Sequence, residues 1–203
     1  MKKSAIILSF ILTLAGCATP PPKQPNDICK IFEEKSDWYF DAKDAQEKWG
    51  SPKHVLMSMM FQESSFKHDA APPMQYFLWI IPIGRASDAF GYSQAKTPTW
   101  SDYIRETGNS GADRDDFDDA IDFMAWFVYK THKINGVSKW DAYGQYLNYH
   151  EGLGGYKYGS YKKKKWLMNV AKKVKYRAGR YGAQLRRCED DLDRNWLERW
   201  LFS

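Results

Sequence analysis

The chain has 203 residues, a formal net charge of +5 and a hydrophobic fraction of 43%. Once an N-terminal leader is set aside, about 175 residues remain, which is enough for one hydrophobic core. The sequence shows no internal repeat and no sign of a second domain.

The N-terminus has the pattern of an export signal. Lys2 and Lys3 precede an uncharged apolar run over residues 5–14, which leads to Leu14-Ala15-Gly16-Cys17. A short charged start, an apolar core of about a dozen residues and small residues before a cleavage site are typical of a secretory signal. The run is too short to span a membrane.

Cys17 resembles the modified cysteine of a bacterial lipobox. The resemblance implies that residues 1–16 are a lipoprotein signal peptide, with cleavage before Cys17 and diacylglycerol on its sulfur. The alternative is an ordinary signal peptide with an incidental cysteine. Because Ala18 and not Asp follows, the resemblance favours the periplasmic face of the outer membrane.

Residues 17–27 are predicted to be a lipid-anchored, proline-rich tether to a globular domain over residues 28–203. Such a segment favours polyproline II at roughly 3 Å per residue, which would lift the domain about 30 Å off the bilayer. Cys29 and Cys188 are the two remaining cysteines. In an oxidising periplasm an even pair favours a disulfide, while two unpaired buried thiols are the alternative.

Helical periodicity dominates the domain, and no run of any length has the period of a strand. Apolar residues recur at three- and four-residue steps from Ile28 to Trp49, and Gly50 suits the end of that helix. Ser51 and Pro52 then fit the N-cap and the first position of a second helix, which is predicted to run to about Glu63.

Three further helices are predicted. One begins near the Asp-rich stretch 113–122 and another covers Trp140–Tyr149, while a long last helix carries an apolar stripe from Trp166 to Leu192. The acidic stretch lacks the ligand spacing of an EF-hand, and negative charge is favourable at a helix N-terminus. The predicted fold class is therefore mainly α, with one irregular lobe.

The irregular lobe covers residues 70–90 and contains Pro72, Pro73 and Pro82 around the apolar run 74–81. The run is too short to span a bilayer. We expect it to pack against the core as a hairpin or loop. Two other roles stay open, as the wall of a substrate cleft or as a contact with a partner.

Glu63 ends the apolar helical run 55–62. Burial disfavours the charged form of a carboxyl and raises its pKa, so such a group can hold a proton at neutral pH and act as an acid catalyst. The alternative is a surface charge at a helix end. Two other polar segments in apolar surroundings, Gly91–Gln94 and Asn148–Gly152, favour the catalytic interpretation.

Three motifs occur in order: Phe61-Gln62-Glu63-Ser64-Ser65-Phe66, Gly91-Tyr92-Ser93-Gln94 running on to Thr99-Trp100, and Tyr146-Leu147-Asn148-Tyr149-His150-Glu151-Gly152. Together they resemble the lytic transglycosylases of the SLT type, which share a lysozyme-like helical fold with goose-type lysozymes. The resemblance spans roughly residues 50–190. Tyr92-Ser93 replace the family's usual Leu-Met, and His150-Glu151 replace Asn-Ala.

The resemblance implies a peptidoglycan glycan strand as substrate and Glu63 as the catalytic residue. Glu63 would protonate the oxygen of the β-1,4 linkage between N-acetylmuramic acid and N-acetylglucosamine. It would then act as a base toward the muramoyl 6-hydroxyl, which leaves a 1,6-anhydro end. Residues expected to bind or position the substrate are Ser64, Tyr92, Gln94, Tyr149 and His150.

Two other functions stay open. A lysozyme-type hydrolase would need a held water or a second carboxylate, for which Asp69, Asp88 and Asp102 are candidates. A non-catalytic wall-binding lipoprotein would retain the fold alone. The four histidines lack metal-ligand spacing, so we expect no metal, and no cofactor is implied.

The segment from Lys157 to Arg187 carries twelve Lys or Arg and no acidic residue. Such a run is either a solvated helix face or a surface that attracts anionic peptidoglycan or lipid head groups. Nucleic acid is not an expected partner of an exported lipoprotein.

Overall fold

A computed structural model of the protein describes the backbone of residues 19–202 and the side chains of residues 19–194. The signal peptide proposed for residues 1–16 and the lipidation site Cys17 lie outside the described residues. Seven α-helices and one two-stranded sheet make up most of the described chain. The helices are α1 Ile28–Glu34, α2 Ser36–Trp49, α3 Lys53–Ser64, α4 Thr97–Thr107, α5 Phe117–Asn135, α6 Ala142–Lys157 and α7 Lys165–Phe202, and the strands are β1 Met74–Phe77 and β2 Ile81–Arg85.

The fold is mainly α and of the lysozyme-like helical class, as the sequence predicts. Helix α3 lies at its centre and packs on α7, α5 and α6, while α2 runs along α5. The core is rich in aromatic rings, with Trp38 stacked on Phe117 at a centroid separation of 4.0 Å. Over residues 19–202, none of the helices combines the length and apolar composition that crossing a bilayer requires.

The first predicted helix is in fact two, because the chain leaves helical geometry at Lys35 (φ −122°, ψ 70°). The break lets α1 pack on α7 while α2 turns along α5. The apolar spacing continues through the break, so periodicity alone could not reveal it. Helix α4 was not predicted as a separate element.

The predicted N-cap at Ser51 is wrong, because α3 has Pro52 at that position and no side-chain cap. The Ser51 hydroxyl instead donates to the carbonyl oxygen of Ala125 at 2.9 Å and so ties the start of α3 to α5. The end predicted near Glu63 is confirmed, since α3 ends at Ser64.

A disulfide joins Cys29 of α1 to Cys188 of α7, as predicted. The bond closes a segment with a sequence separation of 159 residues. It therefore links the first helix of the domain covalently to the last one.

The proline-rich segment does not extend away from the domain over its whole length. Pro22 is buried, and the carbonyl oxygen of Pro25 accepts a hydrogen bond from the Tyr181 hydroxyl. Arg177 and Arg180 each donate to the side-chain oxygen of Asn26 at 2.9 Å. Because Pro25 and Asn26 bond to α7 and Lys23 bonds to Glu34 of α1, this part of the segment lies on the domain and does not contribute to a separation of about 30 Å from the bilayer.

The lobe at residues 70–90 forms an antiparallel hairpin of β1 and β2, in which Met74 pairs with Arg85 and Phe77 with Ile81. The expectation of a hairpin is confirmed. The expectation that it packs against the core is wrong, since every residue of β1 is exposed and β2 is exposed except at Gly84.

Candidate active site

Glu63 lies in the last turn of α3, whose apolar residues from Val55 to Met60 are buried. A helix surrounded by protein carries its terminal side chains into the interior rather than to the surface. The helix thus delivers one carboxyl group to a partly buried position at its C-terminal end.

The turn that follows Glu63 is held in an unusual backbone conformation. Ser65 and Phe66 both have positive φ angles, 54° and 62°, in the left-handed region that non-glycine residues rarely occupy. The Ser64 hydroxyl accepts from the backbone N–H of Phe66 at 3.1 Å and donates to the carbonyl oxygen of Met60 at 3.3 Å. Ser64 is buried and does not line the cavity described below, so it fixes the turn instead of facing a substrate.

The buried ring of Phe66 anchors the same turn. It packs at 5.7 Å from the Phe61 ring and at 5.8 Å from the Trp38 ring. Positive φ angles of this kind persist only where the surrounding structure holds them, and they concentrate at functional sites.

A cavity of about 440 Å³ opens beside Glu63. It brings together side chains from four separate parts of the chain. The residues that line it include Glu63, Gln94, Phe127, Tyr149, His150 and Glu151. Four of the residues that the sequence singles out, Glu63, Gln94, Tyr149 and His150, therefore meet at one place.

Burial raises the pKa of Glu63 to about 7, and a side-chain hydrogen bond with Tyr146 acts in the opposite direction. A hydrogen bond donated by a hydroxyl stabilises the carboxylate form, while an apolar environment stabilises the neutral acid. With a pKa near neutrality, this carboxyl can both give up and accept a proton.

Tyr149 lines the cavity, but its hydroxyl donates to the backbone carbonyl oxygen of Ser93 at 2.6 Å. Its ring packs edge-on against Phe127 at 5.1 Å. The tyrosine that hydrogen bonds to Glu63 is Tyr146, one turn earlier on α6, which sequence reasoning did not single out. The spacing of three residues on a helix, which places Tyr146 and Tyr149 on the same face, was the available signal.

Gln94 holds the loop at the mouth of the cavity. Its side-chain Nε2 donates to the carbonyl oxygens of Ala70 at 2.6 Å and Gly91 at 3.0 Å. The loop also requires a glycine at position 91, where φ is +75° and a Cβ atom would lie 1.9 Å from the carbonyl oxygen of Arg114. A side chain at position 91 would push the loop away from the segment at Arg114 and Asp115, which precedes α5.

Tyr92 does not reach the cavity. It is 1% exposed, and its ring packs edge-on against both Trp38 and Phe117 at 5.6 Å. The expectation that Tyr92 contacts substrate is corrected by this position, because the loop turns the side chain into the aromatic core.

The opposite side of the cavity carries Glu151, which is bound by three neighbours. Lys164 donates to its Oε1 at 2.7 Å, Ser160 donates to its Oε2, and the Nδ1 of His150 lies 3.1 Å from Oε1. Burial acts to raise the pKa of this carboxyl, but hydrogen bonds from the three neighbours outweigh it and lower the pKa to about 2. Glu151 is therefore a permanent carboxylate, held by a kink at Gly152 (φ 75°, ψ 160°) inside α6.

The three aspartates considered as a second carboxylate do not line the cavity. Asp88 accepts from the backbone N–H of Thr97, and Asp102 pairs with Arg105 on the surface. Asp69 is exposed. Among the described residues, no group of three or more His, Cys, Asp or Glu is arranged to hold a metal ion.

Comparison with known proteins gives one match. The family model described as the transglycosylase SLT domain matches residues 5–188, which is most of the chain. No curated protein and no solved structure matches the chain significantly.

Proposed function

Because the chain belongs to the transglycosylase SLT domain family, which indicates lytic transglycosylase activity on peptidoglycan, we propose that Glu63 performs the bond cleavage alone. The observation that supports the proposal is the carboxyl of Glu63 in the cavity wall, with its pKa raised by burial to about 7. One carboxyl that changes protonation state near neutral pH suffices for a reaction that first donates and then recovers a proton.

In the first step, protonated Glu63 donates its proton to the oxygen that bridges N-acetylmuramic acid and N-acetylglucosamine. The bond from the muramoyl anomeric carbon to that oxygen breaks, and its electron pair stays with the departing alcohol. Glu63 is now a carboxylate, and the hydrogen bond with Tyr146 stabilises this form.

In the second step, the Glu63 carboxylate removes the proton of the muramoyl 6-hydroxyl. The 6-oxygen forms a bond to the anomeric carbon and closes the 1,6-anhydro ring. Glu63 ends protonated, as it began, and no water is consumed. The balance therefore needs no second catalytic carboxylate and no cofactor.

The state of Glu151 favours this lyase reaction over a lysozyme-type hydrolysis. An inverting hydrolase uses a second carboxylate as the base that activates water. Both oxygens of Glu151 already accept hydrogen bonds, and a carboxylate with a pKa of about 2 is a poor proton acceptor. Glu151 is better suited to hold His150 and the kink of α6 in place.

We also propose that the protein is an outer-membrane lipoprotein anchored at Cys17 on the periplasmic face. The support is the sequence Leu14-Ala15-Gly16-Cys17 followed by Ala18. Replacing Cys17 by Ala should move a large part of the protein from the membrane fraction to the soluble fraction, as followed by cell fractionation and immunoblotting. A Cys17→Ala variant that stays in the membrane fraction to the same extent as wild type would contradict the anchor.

The decisive experiment digests purified sacculi with the protein and identifies the products by mass spectrometry. The wild type should release 1,6-anhydro muropeptides, and Glu63→Gln should release almost none. Glu33→Gln, which removes an exposed carboxyl paired with Lys30, is the matched control and should act like the wild type.

Other products would count against the proposal in distinct ways. Reducing muramic acid ends would show a hydrolase. Binding of wild type to sacculi without any release would show a wall-binding module. Full activity of Glu63→Gln would show that the catalytic acid is another residue.

A further inference from the structure

The hairpin of β1 and β2 exposes apolar side chains on both of its faces. Successive residues of a strand point to opposite faces, so exposure along the whole of β1 leaves neither face covered. Trp79 at the tip is 94% exposed. The other large apolar residues exposed here are Met74, Tyr76, Phe77, Leu78, Ile80, Ile81 and Ile83.

The tip places two of its bulkiest apolar residues where the backbone disfavours them. Leu78 and Trp79 have φ angles of 48° and 68°, and the N–H of Ile80 donates to the carbonyl oxygen of Phe77 at 3.3 Å. Turns with positive φ angles at both central residues strongly prefer Asn-Gly or Asp-Gly. The sequence instead holds leucine and tryptophan there, next to solvent.

The base of the hairpin lies beside the start of the described chain. The N–H of Gly91 donates to the carbonyl oxygen of Ala70 at 2.9 Å. This hydrogen bond joins the two ends of the segment that contains the hairpin. Tyr92, the next residue, lines a surface cavity together with Thr19. Cys17 precedes Thr19 by two positions in the sequence, and a chain spans at most about 3.6 Å per residue. A lipid on Cys17 would therefore hold a bilayer next to the base of this hairpin.

We propose that the hairpin inserts its tip into the surface of the lipid bilayer. No charged residue occurs from Met74 to Gly84, and a tryptophan with aromatic and aliphatic neighbours suits the boundary between head groups and acyl chains. A protein partner that binds one face of a two-stranded hairpin leaves the other face in water, whereas lipid surrounds both. The apolar run is too short to cross the bilayer, so insertion is limited to one leaflet.

Insertion would give the domain a second attachment besides the lipid. Two attachment points fix an orientation that one flexible anchor leaves free. The return strand of the hairpin leads to Ala89, which lines the cavity of Glu63. The hairpin would thus set how the catalytic cavity faces the glycan layer above the membrane. This inference shares the lipid on Cys17 with the proposed function, but not the reaction at Glu63.

The test separates the hairpin from the lipid by using the mature chain, residues 17–203, with Cys17→Ala in every sample, so that neither the lipid nor the apolar run 5–14 contributes. Binding to vesicles of neutral phosphatidylcholine is measured by co-sedimentation at high salt, which suppresses any contribution of the basic α7. The parent should bind, and adding Trp79→Asp should weaken binding by about tenfold or more. Tyr176→Asp changes another exposed aromatic residue, on α7, and should leave binding unchanged.

A second measurement reports on the depth of the tip. Lipids brominated on their acyl chains should quench part of the tryptophan fluorescence of the parent, and Trp79→Phe should remove that quenched part. The other tryptophans stay in place in this variant and provide the internal reference.

Three outcomes would overturn the inference: a parent that does not bind vesicles, a Trp79→Asp variant that binds like the parent, or a Trp79→Asp variant that loses affinity for sacculi while its binding to vesicles is unchanged. The last outcome would show that the hairpin binds the glycan strands instead of the lipid. Digestion of isolated sacculi by Trp79→Asp should equal that of the parent. Digestion of sacculi therefore tests the catalytic role of Glu63, and binding to vesicles separately tests insertion of the hairpin.

Discussion

The two sides of the catalytic cavity place the same functional group in opposite electrostatic environments. Glu63 ends an apolar helix, and burial raises its pKa to about 7. Glu151 lies at a helix kink with Lys164, Ser160 and His150, and the hydrogen bonds of these neighbours lower its pKa to about 2. The difference shows that burial alone does not make a catalytic acid. A buried carboxyl becomes a proton donor at neutral pH only where no cation or set of donors offsets the loss of water.

The largest contrast should appear in activity. Replacing the acid in Glu63→Gln should lower the rate of anhydro-muropeptide release by about 100- to 10,000-fold, the range typical of general acid–base catalysis. Glu151→Gln keeps the acid and should lower the rate by less than about tenfold once the folded fraction is taken into account. Both rates are measured on sacculi at neutral pH. A greater loss in Glu151→Gln would reverse the roles assigned to the two carboxyls.

The next contrast concerns stability on the Glu151 side. Lys164→Met leaves the buried Glu151 carboxylate without its cation and should lower the free energy of unfolding by about 2–3 kcal/mol. Urea denaturation at pH 7 measures this change. The double variant Lys164→Met, Glu151→Gln should recover part of the loss, because it also removes the unpaired charge. Lys163→Met, at an exposed neighbouring lysine, is the matched control and should have little effect.

The charged form of Glu63, unlike that of Glu151, destabilises the folded protein. The Glu63 carboxyl ionises near 4.5 in the unfolded chain and near 7 in the folded protein, so the folded state binds the proton more tightly. Its contribution to stability is complete below pH 4.5 and is lost as the pH rises through about 7. Glu63→Gln should therefore unfold at higher urea concentration than wild type at pH 8, by up to about 3 kcal/mol, and match it below pH 4.5. Equal stability of the two proteins at pH 8 would show that Glu63 is not desolvated.

The elements that depend on local sequence could be predicted. Helix α3 was predictable because an unbroken apolar run ending in Glu63 fixes both the helix and the burial of its end. The loop with Gly91 and Gln94 was singled out because it is a polar segment in apolar surroundings that resembles a family motif. The pairing of Cys29 with Cys188 followed from their number and from the expected compartment.

Features that depend on how distant elements meet could not be predicted. Tyr92 points into the core because Trp38 and Phe117 form a pocket for its ring, and neither is near it in sequence. The break at Lys35 is set by the separate partners of α1 and α2. The position of residues 25 and 26 is set by hydrogen bonds from α7. Likewise, the exposure of the hairpin cannot be deduced from an apolar composition, which ordinarily predicts burial.

Variants of Tyr146 and Tyr149 test what sets the pKa of Glu63. Both lie on α6, and only the rotation of that helix about its axis decides which hydroxyl bonds to Glu63. The hydrogen bond with Tyr146 lowers the pKa of Glu63, so Tyr146→Phe should raise that pKa further. Because Glu63 must be protonated to start the reaction, kcat/KM falls as the pH rises through its pKa, and Tyr146→Phe should move this fall to higher pH.

Tyr149→Phe is the matched control, since the Tyr149 hydroxyl donates to Ser93, and it should leave the midpoint of the fall close to that of wild type. If the two variants shift the pH profile equally, burial alone sets the acidity of Glu63 and the Tyr146 hydroxyl has no separate part in it.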